Sequence, residues 1–155
     1  MTAMNEKEMH DIAKTVAGEC LAVRIRLLNR VVTGIYDRAL RPLGIKANQA
    51  SILVMVSLSG ETTPSNIGRT LRMEKSTISR SIERMRSKGW IEVGRGEDGI
   101  SQLISVTPKG RELLAAVHTL WSQAQKMTSE YLGENGVQAI HLLIERLSSA
   151  EGKKK

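Results

Sequence analysis

Phenylalanine is absent from this 155-residue chain, and its aromatic content is only two Trp and two Tyr. A core must therefore be assembled from Leu, Ile, Val, Met and Ala, which favours helices, because small and unbranched side chains lose little rotamer freedom there. One cysteine, Cys20, excludes an internal disulfide and fits a reducing cytoplasm. No apolar run approaches the roughly 20 residues of a membrane span, and the polar N-terminus MTAMNEKEMHDIAK has no signal-peptide core. Membrane insertion and secretion are not expected. Internal repeats and low-complexity segments are missing. So are a nucleophile motif, a phosphate-cradling glycine loop and a supported carboxylate pair, which argues against an enzyme and implies no cofactor. His10, His118 and His141 are scattered; His141 and Glu145 share a helix face, a pairing that does not call for a metal.

What the chain has is positive charge, a formal +7 with a pI near 9.9. A basic balance can simply aid solubility, but the distribution points to a polyanionic partner. From Arg69 to Arg95 there are eight Lys and Arg (Arg69, Arg72, Lys75, Arg80, Arg84, Arg86, Lys88, Arg95) against three acids (Glu74, Glu83, Glu92), a net of +5. The first twenty residues carry a net of −2. A second cluster, Lys153 to Lys155, reads as a solvated tail.

Residues 1 to 17 read as a loosely ordered lead-in or an early helix. Apolar residues at Leu21, Ile25, Leu28, Val32 and Ile35 predict a long amphipathic helix over Gly18 to Leu40, ended by Pro42 and Gly44. A helix over Ala47 to Leu58 follows, with Gly60 as its C-terminal cap. Thr63-Pro64 is a hydroxyl cap followed by proline, and opens a short helix over about Pro64 to Leu71. Another runs from about Lys75 to Lys88 and stops at Gly89. Trp90 to Gly94 and Ser101 to Val106 are strand-like, with Gly94, Gly96 and Gly99 in the turn between them. Thr107-Pro108 repeats the cap-and-proline signal at the head of a helix reaching about Tyr131, and Gly133 separates it from a last helix over about Glu134 to Ser148. The fold class is therefore mainly α with a small β-wing: a winged helix-turn-helix, the module that lays one short helix in a DNA major groove. The chain is expected to be one domain over residues 1–155, with a DNA-binding lobe at about 47–106. Helices at about 18–40 and 107–148 carry more apolar side chains (Leu113, Leu114, Val117, Leu120, Trp121, Val137, Ile140, Leu143, Leu147) than one small domain needs. They are expected to pack against a second subunit, and a two-fold homodimer supplies the symmetry that palindromic half-sites require.

On the helix from Lys75 to Lys88, Ile78, Ile82 and Met85 form one stripe and should face the core, with Leu71 and Met73 leading in. The opposite face then presents Ser76, Thr77, Arg80 and Arg84, with Lys75 at the N-terminal edge. Ser and Thr reach phosphates or base edges, and Arg forks onto guanine O6 and N7. Arg80 with Ser76 and Thr77 is expected to make base or near-base contacts; Lys75, Arg84, Arg69 and Arg95 are expected to position phosphates. Glu83 can pair with Arg80 or with Arg86, and Arg86 and Lys88 can equally serve the helix dipole. Trp90 should pack against the recognition helix. Trp121 suits core, interface or pocket wall.

The run LRMEKSTISRSIERMRSKGWIEV, the glycine-rich wing and the closing LISVTPKGREL resemble the MarR family of bacterial transcriptional regulators. The likeness spans about Leu21 to Leu147 and includes LGIKANQASILVMVSL. Ser76-Thr77-Ile78-Ser79-Arg80 and Thr107-Pro108-Lys109-Gly110 are its most specific pieces. The resemblance implies a homodimer joined through its terminal helices and bound to double-stranded promoter DNA. It also implies repression at pseudo-palindromic sites, relieved by a small-molecule effector or an oxidant. Two positions depart from it. Ile100 stands at the wing tip where the family has an arginine that enters the minor groove; Arg95 is near enough to substitute, and Ile100 itself can touch sugar or pack against protein. Arg72 stands between the two helices where many relatives place glycine.

Two other readings compete. In a peroxide-sensing branch of the same family a cysteine in the region of Cys20 is oxidised, with tyrosines holding its thiolate; Tyr36 and Tyr131 are the tyrosines here. A winged-helix module can also present a basic face to an acidic protein, with no specific reading of DNA.

Overall fold

The structure is a computed structural model and describes residues 5–152. The first four residues of the lead-in and the Lys153–Lys155 cluster lie outside the described residues. The chain divides into two compact units, Met1–Gly34 and Ile35–Lys155.

In the first unit the lead-in is a helix, α1 (Glu6–Glu19). Asn5 starts it: its side chain accepts from the Glu8 amide while the Glu8 carboxylate accepts from the Asn5 amide, a reciprocal capping box. The next helix, α2 (Leu21–Leu40), begins three residues later than the expected Gly18, because Cys20 adopts an extended conformation (φ −65°, ψ 108°) and separates the two. The Cys20 amide closes α1 on Val16, and its carbonyl accepts from Arg24 to begin α2. Cys20 is therefore a half-buried junction residue and does not lie early in a continuous helix, as expected from the sequence.

The second unit starts inside α2. A short 3-10 turn (Arg41–Leu43) ends in left-handed Gly44, and Asp37 accepts the Ala47 amide at 2.7 Å to help open α3 (Ala47–Ser59). Strand β1 (Glu61–Thr62), helices α4 (Pro64–Leu71) and α5 (Lys75–Ser87), and strands β2 (Ile91–Arg95) and β3 (Gln102–Val106) follow. The last element, α6 (Pro108–Gly152), breaks at Gly133, which takes φ 68°. The Thr63 hydroxyl caps α4 by accepting from the Asn66 amide. Arg72 ends α4 in the left-handed conformation (φ 53°), the backbone setting that explains why glycine suits this position.

The two expected strands form an antiparallel ladder from Ile91↔Val106 to Arg95↔Gln102. β1 was not anticipated. It pairs on the other side of β3 through Glu61↔Ser105 and Thr62↔Ile104, completing a three-stranded sheet in the order β1-β3-β2. Two residues are too few to show a period of two, so the strand exists only because β3 is there to pair with it.

One apolar cluster joins Leu40, Ile45, Ile52, Leu53 and Val56 to Ile67, Ile78, Ile82, Met85, Trp90, Ile91, Ile104 and Val117. The stripe expected on α5 is buried as read, Leu71 and Met73 pack against the same cluster, and Trp90 lies with Ile82 and Met85. The Thr107-Pro108-Lys109-Gly110 motif closes this unit. Thr107 Oγ1 donates to the Gly89 carbonyl at 2.6 Å and accepts from the Gly110 amide at 3.0 Å, so one hydroxyl fastens the end of α5 to the start of α6. A methyl group at position 110 would stand 2.0 Å from the Trp90 carbonyl oxygen and 2.7 Å from Val106 Cγ1. Gly110→Ala is expected to destabilise the protein by about 1–3 kcal/mol, the usual cost of overpacking a tight contact. Urea or thermal unfolding measures this, and an unchanged midpoint would contradict the close approach of α6 to Trp90.

Candidate nucleic-acid interface

With Ile78, Ser81, Ile82 and Met85 turned inward, the rest of α5 is left as a ridge. A cleft lies along each side. The first, about 810 Å³, separates α5 from α4 and the wing; Pro64, Arg69, Lys75, Arg86, Val93 and Gln102 are among its walls. The second, about 750 Å³, separates α5 from the start of α3 and is walled in part by Lys46, Asn48, Thr77, Arg80, Arg84 and Ser87. Ser79 and Glu83 line both clefts and so mark the crest between them. A ridge of this kind, flanked by two grooves rimmed with cations, suits a polyanion whose two strands run on either side of an inserted helix.

The structure places the expected DNA-contact residues in four positions. Arg69 and Lys75 face the first cleft, and Thr77, Arg80 and Arg84 face the second. Arg95 ends β2, where it pairs with Gln102 at the last rung before the wing tip. Ser76 is exposed near the N-terminus of α5. Thr77 is half-buried, while Arg69, Lys75, Arg80, Arg84 and Arg95 are exposed.

Several side chains are pre-set. Arg69 donates to Asn66 Oδ1 at 2.7 Å, and Asn66 donates in turn to Thr62 Oγ1 at 2.9 Å, so β1 indirectly steadies a cation of α4. Arg80 Nε donates to the Ser76 carbonyl at 3.1 Å, which lays the side chain back along its own helix and leaves the terminal NH2 groups to donate outward. Glu83 takes Arg86 as its partner: Arg86 donates to the two carboxylate oxygens at 3.0 and 3.3 Å. That bond, followed by the attraction of the carboxylate, raises the Arg86 guanidinium pKa above its ordinary value.

Sequence reasoning missed Lys46. It precedes α3 and faces the same cleft as Arg80 and Arg84, although more than thirty positions separate it from them. A cation immediately before a helix start was the available signal, and only the fold, which brings the start of α3 to the cleft beside α5, gives it meaning.

At the wing tip Asp98 organises the turn. Its Oδ1 accepts the Ile100 and Ser101 amides at 2.9 and 2.8 Å, and its Oδ2 accepts the Ser101 hydroxyl. Gly99 takes φ 67°, and the Gly96 amide donates to the Ser101 carbonyl at 2.8 Å. Ile100 stands 88% exposed on this ordered tip, so it does not pack against its own chain. The hydrogen bonds from Ser101, then that from Ile100, hold the Asp98 carboxyl below its usual range.

The remaining candidates are dispersed. Trp121 is 43% exposed and stacks on His118 with centroids 6.1 Å apart, which removes it from the core. Tyr36 donates to Gln125 Oε1 and Tyr131 is largely exposed. Among the described residues no three His, Cys, Asp or Glu side chains converge as a metal site, and no helix is long and apolar enough to cross a membrane.

A helix-turn-helix backed by a three-stranded wing defines a winged-helix protein. The model of the MarR family matches residues 43–99, from the turn before α3 to the wing tip. The transcriptional regulator MosR of M. tuberculosis, solved in complex with DNA, is 31% identical, with 88% of this chain and 100% of that chain covered at a TM-score of 0.74. A mutant MarR from E. coli, solved in complex with operator DNA, has the same fold at a TM-score of 0.75 and 22% identity, covering 85% of this chain and 96% of that one. The multiple antibiotic resistance protein MarR of Salmonella typhimurium is 27% identical over 95 residues, which take in 61% of this chain. The chain spans 61% and 66% of the lengths of the first curated relatives it matches. The chain belongs to the MarR family.

Because the folded-state pKa of Asp98 is depressed, its contribution to the wing turn is complete above the ordinary aspartate pKa. It disappears as pH falls through the lower, folded value. Hydrogen exchange or NMR of the Ile100 and Ser101 amides should show protection persisting into moderately acidic solution and then lost, and Asp98→Ala should abolish it at every pH. Equal protection in the variant would remove Asp98 from that role.

Proposed function

We propose that this protein is a homodimeric, cytoplasmic regulator that binds promoter DNA sequence-specifically, represses promoters with pseudo-palindromic operators, and is released by a small ligand. The carrying observation is the ridge of α5, whose inner face is committed to the core while its outer face and both flanking clefts collect Ser76, Thr77, Arg80, Arg84, Arg69 and Lys75. Arg80, Ser76 and Thr77 contact base edges. Lys75, Arg84, Arg69 and Arg95 neutralise phosphates and set the register. Family membership supports the regulatory role and the release by a ligand.

The dimer rests on unspent apolar surface. In the C-terminal segment of α6, Leu142, Leu143, Ile144 and Leu147 are each more than half exposed, and Ile140 and Leu143 share a face with Leu147. In the N-terminal unit, Leu21, Ile25 and Leu28 form another exposed stripe. Exposed apolar area on this scale is stabilised by a second subunit. A two-fold pair also presents two recognition helices to half-sites about 34 Å apart.

Fluorescence anisotropy tests the function directly. The duplex upstream of the protein's own gene is compared with a shuffled duplex at two salt concentrations. A preference that survives the higher salt is expected; equal and steeply salt-sensitive binding would reduce the interaction to counterion release. In the same assay Arg80→Ala should weaken specific binding by about 1–3 kcal/mol and relax sequence choice. Unchanged affinity and preference would take Arg80 out of the readout. For the dimer, sedimentation of the Leu143→Lys/Leu147→Lys variant should reveal monomers with weakened specific binding, whereas an unaltered dimer would place the interface elsewhere.

A further inference from the structure

An acid on the crest of a helix meant for DNA is an electrostatic liability. Every cation gained against the phosphates adds affinity, and a carboxylate at the same surface subtracts from it. Glu83 occupies that place. It is exposed on the side of α5 turned away from the buried Ile78, Ile82 and Met85 and lines the clefts on both sides of the helix, whereas Arg84 is confined to one cleft. Its neighbours on that face are Ser76, Ser79, Arg80 and Ser87, of which the three serines are short and Arg80 is laid back on the Ser76 carbonyl. Arg86 is the brace. One turn along, it grips both oxygens of Glu83 at 3.0 and 3.3 Å from the side of the first cleft. The grip fixes the carboxylate and offsets its charge, while a carboxylate has about four acceptor sites and this pair occupies two.

We propose that Glu83 is a base-reading residue, positioned by Arg86, that accepts a hydrogen bond from an exocyclic amino group in the major groove. This rests on the DNA-binding reading above and deepens it by assigning sequence choice at one position of each half-site to an acid. The chemistry restricts the partner. An ionised carboxylate only accepts, so it pairs with the N4 amino group of cytosine or the N6 amino group of adenine. Guanine O6 and N7 and thymine O4 present lone pairs in the same groove and repel it. Glu83 therefore exchanges general affinity for discrimination: it weakens binding to any duplex a little and binding to the wrong base far more. The cations on either side supply affinity without information, and the acid between them does the reverse.

The test is selection from a random duplex pool with the full-length chain, comparing the wild type with Glu83→Ala, Glu83→Gln and Arg86→Gln, followed by anisotropy on the wild-type consensus and on an arbitrary duplex. These side chains are exposed, so melting temperatures should match the wild type. The wild-type motif should contain, in each half-site, a cytosine or adenine whose preference vanishes in Glu83→Ala and weakens in Arg86→Gln. Affinity of Glu83→Ala for the consensus should fall roughly five- to hundredfold, while its affinity for the arbitrary duplex holds or rises. Glu83→Gln, which can donate as well as accept, should retain adenine better than cytosine. If the wild type selects a motif and Glu83→Ala selects the same motif, with all affinities raised together, Glu83 is only a tether for Arg86 and the proposal falls. If the wild type selects no motif, specific DNA binding itself fails and the proposal with it.

Discussion

Burial of Ile78, Ile82 and Met85 is the constraint on which the rest of this molecule turns. Those three side chains fix the rotation of α5 about its own axis, because any other rotation exposes apolar area worth about 1.5–3 kcal/mol per side chain. Once the inner face is set, the outer face follows without further choice. Arg80 and Arg84 fall to one side, Lys75 and Arg86 to the other, and Ser79 with Glu83 on the crest. The surface that meets a partner is the complement of the surface that makes the core.

Keeping that ridge in register with the wing falls to a few polar contacts and one missing side chain. Thr107 holds the carbonyl of Gly89 and the amide of Gly110 at once, and the bare Cα of Gly110 lets α6 rest on the Trp90 backbone. On the other edge of the sheet, β1 ties the entry of α4 to β3, and Thr62 passes that support through Asn66 to Arg69. The cations are exposed, yet the strands and caps beneath them are bonded, which limits the ordering cost of engaging a charged partner.

The proposed function divides charge and information among different residues. On the proposed reading, phosphate contact would reward any cation near the rim of a groove, so Lys46, Lys75, Arg69 and Arg84 would be interchangeable in kind. Side chains with a fixed donor or acceptor pattern are not. Asp98 spends its carboxylate on the wing turn, and Glu83 shares its own with Arg86. The same functional group serves as a structural cap where it faces backbone amides and is held by a neighbouring guanidinium where it stands on the outer face of a helix.

Much of this protein was legible before any coordinates. The 3.6-residue stripe on α5, the Thr-Pro starts at Thr63 and Thr107, and the glycines of the wing encode local structure through neighbouring residues alone. They gave the helix-turn-helix, the two-stranded wing and the long closing helix within a few residues. The local signal failed where the deciding atoms belonged to something distant. β1 is two residues that become a strand by pairing with Ile104 and Ser105, and Cys20 interrupts a run that apolar periodicity read as continuous. Lys46 joins the cations of α5 through the packing of α3, Arg86 rather than Arg80 claims Glu83, and Gly110 is required by the carbonyl of Trp90. Periodicity and capping chemistry, being local, are written in the sequence itself; which side chains stand together across the fold is decided only when the core closes and brings remote segments within bonding distance.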